Sequence, residues 1–225
     1  MVYSIGINDL SFPKNHYYFY EKIDLSLLNF NLIKQLNTLP KPDIIMASPP
    51  CESWSGADCS GKMFRSIDDK GNWVVKNNAY YEKYNKKANP VKRRNFIQKE
   101  TSRLLGEATV GATIKIIQHF NPKIWVIENP QTSKTWEFQK HHWNFDKGFH
   151  KNLTYYSSYD NNFSPKPTIF KSNIKLNLLN KKLPGNNNHM ARGSYSQRSS
   201  IPSELIKNIL DEILKEFSNG KLSKN

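Results

Sequence analysis

The sequence predicts an α/β domain built on a mostly parallel sheet, and three observations carry that prediction. Two apolar runs of strand length, Asp43-Ile44-Ile45-Met46-Ala47 and Lys123-Ile124-Trp125-Val126-Ile127, lack polar alternation, as strands covered on both faces do. Apolar residues at helical spacing precede each run, from Leu25 to Leu36 and from Leu104 to Ile117. A further amphipathic stretch closes the chain, and alternation of strand and helix is the order of an α/β architecture.

Taken in order, residues 2 to 7 predict a first strand. Leu25, Leu27, Leu28, Leu32, Ile33 and Leu36 predict a helix with Asp24 as its N-cap, and Pro40 and Pro42 stop it. The first buried strand then ends in Ser48-Pro49-Pro50-Cys51. Residues 53–99 show no clear period and hold eleven Lys or Arg against four acids, which predicts a long basic loop inserted in the domain. Trp73, Tyr80, Tyr81 and Tyr84 lie among those charges, a mixture that grips phosphates and stacks on bases; a solvated insertion with no contacts is the plainer reading. Leu104, Leu105, Ala108, Ala112, Ile116 and Ile117 predict a helix ending near Asn121-Pro122, and the second buried strand ends in Glu128-Asn129-Pro130. The pattern is irregular from there through Phe170. Ile201-Pro202-Ser203-Glu204 opens the last helix, which carries Leu205, Ile206, Ile209, Leu210, Ile213 and Leu214. Apolar spacing stops at Phe217, so one domain over 1–217 and a disordered tail over 218–225 are expected.

The formal net charge of +14 points to an anionic partner, because lysines that neutralise phosphates release condensed counterions. Nucleic acid leads; a merely solubilising charge, or lysine use driven by codon bias, is the alternative. Only Cys51 and Cys59 occur, which argues against a disulfide framework and a zinc site and fits a reduced, cytoplasmic compartment. His141, His142 and His150 lack ligand spacing and acidic companions, so no metal is expected. No signal peptide and no apolar run of membrane-spanning length are apparent.

Ligands of open α/β sheets bind beyond the carboxyl ends of the strands, and here two such ends carry a thiol and a carboxylate. A cysteine held after two prolines, at the start of a loop, is placed to act as a nucleophile, although residue type alone leaves a structural role equally open. A carboxylate beside it suits an electrophilic ring: thiolate attack on carbon 6 of cytosine is easier when an acid supplies a hydrogen bond or proton at ring nitrogen 3. Cys51 and Glu128 are those candidates.

The run Asp43-Ile44-Ile45-Met46-Ala47-Ser48-Pro49-Pro50-Cys51, followed by Trp125-Val126-Ile127-Glu128-Asn129-Pro130, resembles the DNA cytosine carbon-5 methyltransferase family, in particular its short, phage-borne members. Looser similarity runs through Tyr155 to Tyr159, Lys166-Pro167-Thr168-Ile169-Phe170, Ala191-Arg192-Gly193-Ser194 and Arg198-Ser199-Ser200-Ile201-Pro202, in the family's order. The resemblance implies a Rossmann-like methyltransferase fold, S-adenosylmethionine as cofactor, double-stranded DNA as substrate, and a target cytosine flipped out of the duplex. It implies Cys51, Glu128 and Lys166 as catalytic residues, with Lys166 standing roughly where the family places paired arginines. Asp24, Ser48 and Pro49 would face the cofactor. Trp54, Ser55, Lys86, Lys87, Arg93, Arg94, Asn129 and Arg192 would face DNA, with Trp54 alternatively packing in the interior. Sequence recognition would fall on residues 171–190.

One part of the family pattern is missing. The glycine-rich turn after the family's first strand has no counterpart, residues 2 to 8 match its second strand, and Gly6 stands where an acid would hold the cofactor ribose. A lost first strand leaves a gap in the sheet. The expectation is therefore an active enzyme, alone or completed by a partner subunit, with a truncated homologue that binds DNA without catalysis as the alternative.

Overall fold

The computed structural model describes residues 1–6, 17–26, 30–54, 65–67, 70–188 and 199–218. The chain folds as a mixed α/β protein around the sheet strands β3 (Ile44–Ala47), β6 (Ile124–Pro130), β7 (His150–Tyr155) and β8 (Pro167–Ser172), in the order β3-β6-β8-β7. The β3 and β6 strands pair in parallel, with Ile44 opposite Ile124 and Ala47 opposite Ile127. The β8 strand is antiparallel to both β6 and β7. The expected mostly parallel sheet is thus a mixed one. The irregular stretch after Pro130 hides a return hairpin, β7 and β8, whose strands are too polar in alternation to read as buried runs.

β6 is central, and its residues from Ile124 to Asn129 are all buried. Its side chains alternate between two helical layers. Trp125 and Ile127 pack with Val110, Ile114 and Ile117 of helix α3 (Phe96–Phe120). Ile124 and Val126 pack with Leu205, Ile209 and Ile213 of the last helix, α5 (Ser203–Ser218), whose three residues are wholly buried at the predicted spacing. Helix α3 starts eight residues before its predicted apolar stripe because Asn95 caps it, accepting a hydrogen bond from the Gln98 amide at 3.0 Å. It stops at Asn121, which adopts a left-handed conformation with φ 43°, followed by Pro122.

The N-terminal part forms a sheet of its own. β1 (Val2–Gly6) and β2 (Tyr18–Lys22) pair in parallel, and among the described residues no ladder joins them to β3. They are tied to the rest through a shared apolar cluster in which Ile5 and Ile23 meet Leu32 and Leu36 of α1 (Phe30–Leu36) and Ile116 and Phe120 of α3. Among the described residues β1 and β2 therefore stand apart from the four-stranded sheet. The Asp24 carboxylate accepts from the amide and hydroxyl of Ser26, at 2.8 and 2.7 Å, in a turn, and α1 is described from Phe30 on.

The predicted basic loop is largely structured. It contains a short antiparallel hairpin, β4 (Arg65–Ile67) and β5 (Trp73–Val75), then helix α2 (Asn78–Lys87) and a 3-10 turn, Pro90–Lys92. Asn77 and Asn89 supply the caps, a signal visible in the sequence but masked by the absence of apolar spacing. Helix α4 (Thr135–His141) follows β6. Residues 55–64 and 189–198, with Ser55, Cys59 and Arg192, and the tail 219–225, lie outside the described residues.

Candidate active site at the strand ends

Strand directions decide what meets at one edge of the sheet. Since β3, β6 and β7 run the same way and β8 runs against them, the carboxyl ends of the first three share an edge with the start of β8. That edge collects Ser48 to Cys51, Glu128 and Asn129, Tyr156 and Lys166. The two predicted ends are bonded to each other across 80 residues of sequence. Ser48 Oγ donates to Glu128 Oε2 at 2.6 Å, and Asn129 Nδ2 donates to the Pro49 carbonyl at 2.9 Å.

Cys51 is a free thiol, partly buried at this edge. Burial pushes its pKa up; the Lys166 ammonium pulls it down, and the Glu128 and Glu52 carboxylates push it up. The thiol therefore sits in the fields of both predicted catalytic partners. Lys166 Nζ lies over the ring of Tyr156, 5.0 Å from its centroid. Tyr156 is fully buried, and its hydroxyl donates to Glu128 Oε1 at 3.3 Å. Burial first, and then the Glu128 charge, raise the phenol pKa well above its ordinary value, so Tyr156 stays protonated. The sequence places Tyr156 only within a loosely similar run; the usable signal is its place in the alternation Asn152, Thr154, Tyr156, all three buried, with Tyr156 in the cluster that α5 covers.

The loop after Cys51 is anchored in the core. The Trp54 amide donates to the Cys51 carbonyl at 3.0 Å, and the Lys134 amide donates to the Trp54 carbonyl at 3.0 Å. Trp54 itself is wholly buried against Trp73 and Phe138, with ring centroids 6.1 and 5.0 Å away. Helix α3 admits this loop at Gly106, where a Cβ would stand 2.1 Å from Ser53 Oγ and 3.0 Å from Trp54 Nε1. Trp54 is thus a packing residue and not the expected DNA contact: its indole is spent on the core. The same correction holds for Asn129, which is fully buried and holds the Pro49 carbonyl.

The basic segment divides likewise. Lys86, Lys87 and Arg93 are exposed, whereas Arg94 is half-buried and its backbone is gripped by Asn85, which donates to the Arg94 carbonyl at 2.7 Å and accepts from its amide at 2.8 Å. That bidentate lock fixes the 3-10 turn against α2 and makes the three outward cations a rigid group. Of the expected recognition segment, Lys171, Ser172, Ile174 and Leu176 are core residues. Thr154 and Ser157 bind the carbonyls of Leu179 and Leu183, at 2.6 and 2.7 Å, which leaves mainly the outward side chains of residues 177–188 for recognition.

The residues assigned to S-adenosylmethionine do not, on their own, fit it. Pro49 is buried, the Ser48 hydroxyl is taken by Glu128, and the Asp24 carboxylate closes its own turn. Among the described residues no cluster of His, Cys, Asp or Glu could hold a metal ion, and no helix is long and apolar enough to cross a membrane. No family model matches the chain, and no curated protein matches it.

Proposed function

We propose that the chain is a DNA cytosine carbon-5 methyltransferase, with a flipped cytosine as substrate and S-adenosylmethionine as methyl donor. The observation that carries this reading is the union of Cys51 and Glu128 at one sheet edge, held by the Ser48 to Glu128 and Asn129 to Pro49 bonds. A thiol beside a carboxylate serves a ring that must be attacked at one atom and protonated or hydrogen-bonded at another. In this reading Cys51 Sγ bonds to carbon 6, the displaced electron pair moves toward carbon 5, and Glu128 steadies ring nitrogen 3. Lys166 favours the thiolate, against the burial that opposes it. Lys86, Lys87 and Arg93 supply sequence-independent contacts to phosphate.

The test is transfer of labelled methyl from S-adenosylmethionine to duplex DNA by the purified chain, with Cys51→Ser as control. Incorporation that vanishes in the control supports the enzyme; none from the unaltered chain refutes a self-sufficient one. A second reading, DNA binding without catalysis, is favoured by the separate β1 and β2 sheet and by the engagement of Ser48 and Asp24 within the protein. It expects DNA binding with no measurable affinity for S-adenosylmethionine.

A further inference from the structure

The two oxygens of Glu128 are held differently. Oε1 accepts from Tyr156, whose side chain is fully buried beneath the site, and Oε2 accepts from Ser48, an exposed residue at the mouth of the crevice. The inner partner is fixed in place, because the Tyr156 ring is buried in the α5 layer, where it meets Phe163 edge-on at 6.0 Å, and only its hydroxyl can turn, between Glu128 and Thr168. The outer partner belongs to an exposed residue and can leave, because a serine side chain turns about one bond. We propose that Tyr156 is a positioning residue that pins the inner oxygen of Glu128, so that the outer one, on release of Ser48 and with a proton taken up from water, is presented to the ring nitrogen of the bound base, which has no proton of its own. This rests on the reading of Glu128 as the group that meets the base.

The groups around Glu128 come from two strand ends, Ser48 and Cys51 after β3 and Tyr156 after β7; Thr168 of β8 meets the Tyr156 hydroxyl, and Lys166 acts on Cys51 and lies over the Tyr156 ring. The Lys166 ammonium lies over the Tyr156 ring while the phenol hydroxyl donates to the carboxylate. The arrangement gives the two hydroxyls unequal duties, which a merely structural tyrosine would not have.

The experiment is isotope-edited infrared spectroscopy of the full chain labelled with carboxyl-¹³C glutamate, where subtracting Glu128→Gln isolates the Glu128 carboxylate band. In Tyr156→Phe that band should shift, as a carboxylate stretch does on losing a donor, and turnover should fall roughly 10-fold to 100-fold at unchanged KM for DNA, the cost of a misplaced catalytic group. Ser48→Ala should shift the band as well but lower turnover only a few-fold. An unmoved band in Tyr156→Phe overturns the inference whatever the activity, and so does a moved band with turnover like that of the unaltered chain. A moved band in a chain that never transfers methyl leaves the pinned oxygen standing and refutes the enzymatic reading instead. Should Tyr156→Phe not fold, the unaltered sequence grown on 3-fluorotyrosine, a stronger donor of the same shape, decides the same question by the same band.

Discussion

Replacing Lys171 by Met should remove a pH dependence that the unaltered chain carries. The Lys171 side chain is wholly buried in the sheet, with its ammonium 3.0 Å from Asp146, 3.2 Å from Gln139 Oε1, bonded to the Phe145 carbonyl, and flanked by the rings of Phe145 and Phe149. Burial lowers its pKa from 10.5 to about 8 despite Asp146, with Lys151 adding to the lowering. At about 1.4 kcal/mol per pH unit, keeping this amine charged in the fold costs on the order of 3 kcal/mol. The sign follows from proton counting: between pH 8 and 10.5 the unfolded chain holds the proton that the folded chain has released. Stability from this group therefore rises with pH across that window, and below pH 8 the full penalty applies. Urea unfolding of both chains at pH 7, 8, 9 and 10 measures it. The unaltered chain should gain on Lys171→Met by most of that amount over the range. Near pH 7 the two should be close, since the relieved penalty is offset by lost hydrogen bonds. Stability curves that stay parallel with pH would refute the reasoning.

Three further outcomes follow from the site. Gly106→Ala should lower the melting temperature by a few degrees, because about 1 kcal/mol of helix preference offsets only part of about 1–3 kcal/mol of overpacking against Ser53 and Trp54, and in the proposed enzyme should cut methyl transfer about 10-fold or more by displacing the Cys51 loop; an unchanged rate counts against the loop anchor. In a Cys59→Ser background, Lys166→Met should slow alkylation of Cys51 at pH 8 several-fold, because removing the cation raises the thiol pKa and reduces the thiolate present; an equal rate would show that the cation does not reach the thiol. Replacing Lys86, Lys87 and Arg93 by Ala should flatten the salt dependence of DNA binding by about 3 in the log-log slope, and adding Arg94→Ala should change it little further.

The central parts of this fold were legible because their side chains obey simple periods. The runs at Ile44 to Ala47 and Ile124 to Ile127 are strands, and Leu205, Ile209 and Ile213 face the core as their spacing requires; only the second run is buried, because β3 ends its sheet, half-buried and with Met46 exposed, where a strand covered on both faces is expected. The convergence of Cys51 and Glu128 on one edge was legible as well, since it needs only two parallel strands in register. Long-range polar satisfaction was not. Helix α2 buries only Tyr81, too little to announce it, and owes its start to Asn77 and its tie to the following turn to the Asn85 lock. Lys171 reads as a surface charge until Asp146 and Gln139, far away in sequence, are brought beside it. Trp54 and Asn129 were assigned outward because indole and amide groups can contact DNA; only packing shows that both are consumed in building the loop.

The bonds that join the two strand ends span 80 residues, whereas those of the β7 and β8 hairpin join residues 12 to 22 apart. Closing the longer loop costs roughly 1 kcal/mol more in chain entropy, and the reward comes only when β3 docks on β6. The hairpin and β6 lie closer in sequence and can associate first. The edge that joins Cys51 to Glu128 is then among the last features to form, and a chain emerging in order from the ribosome holds Cys51 without its carboxylate until more than half its length has been made. Refolding followed by thiol protection should show Cys51 becoming shielded later than the tryptophan signals of the core.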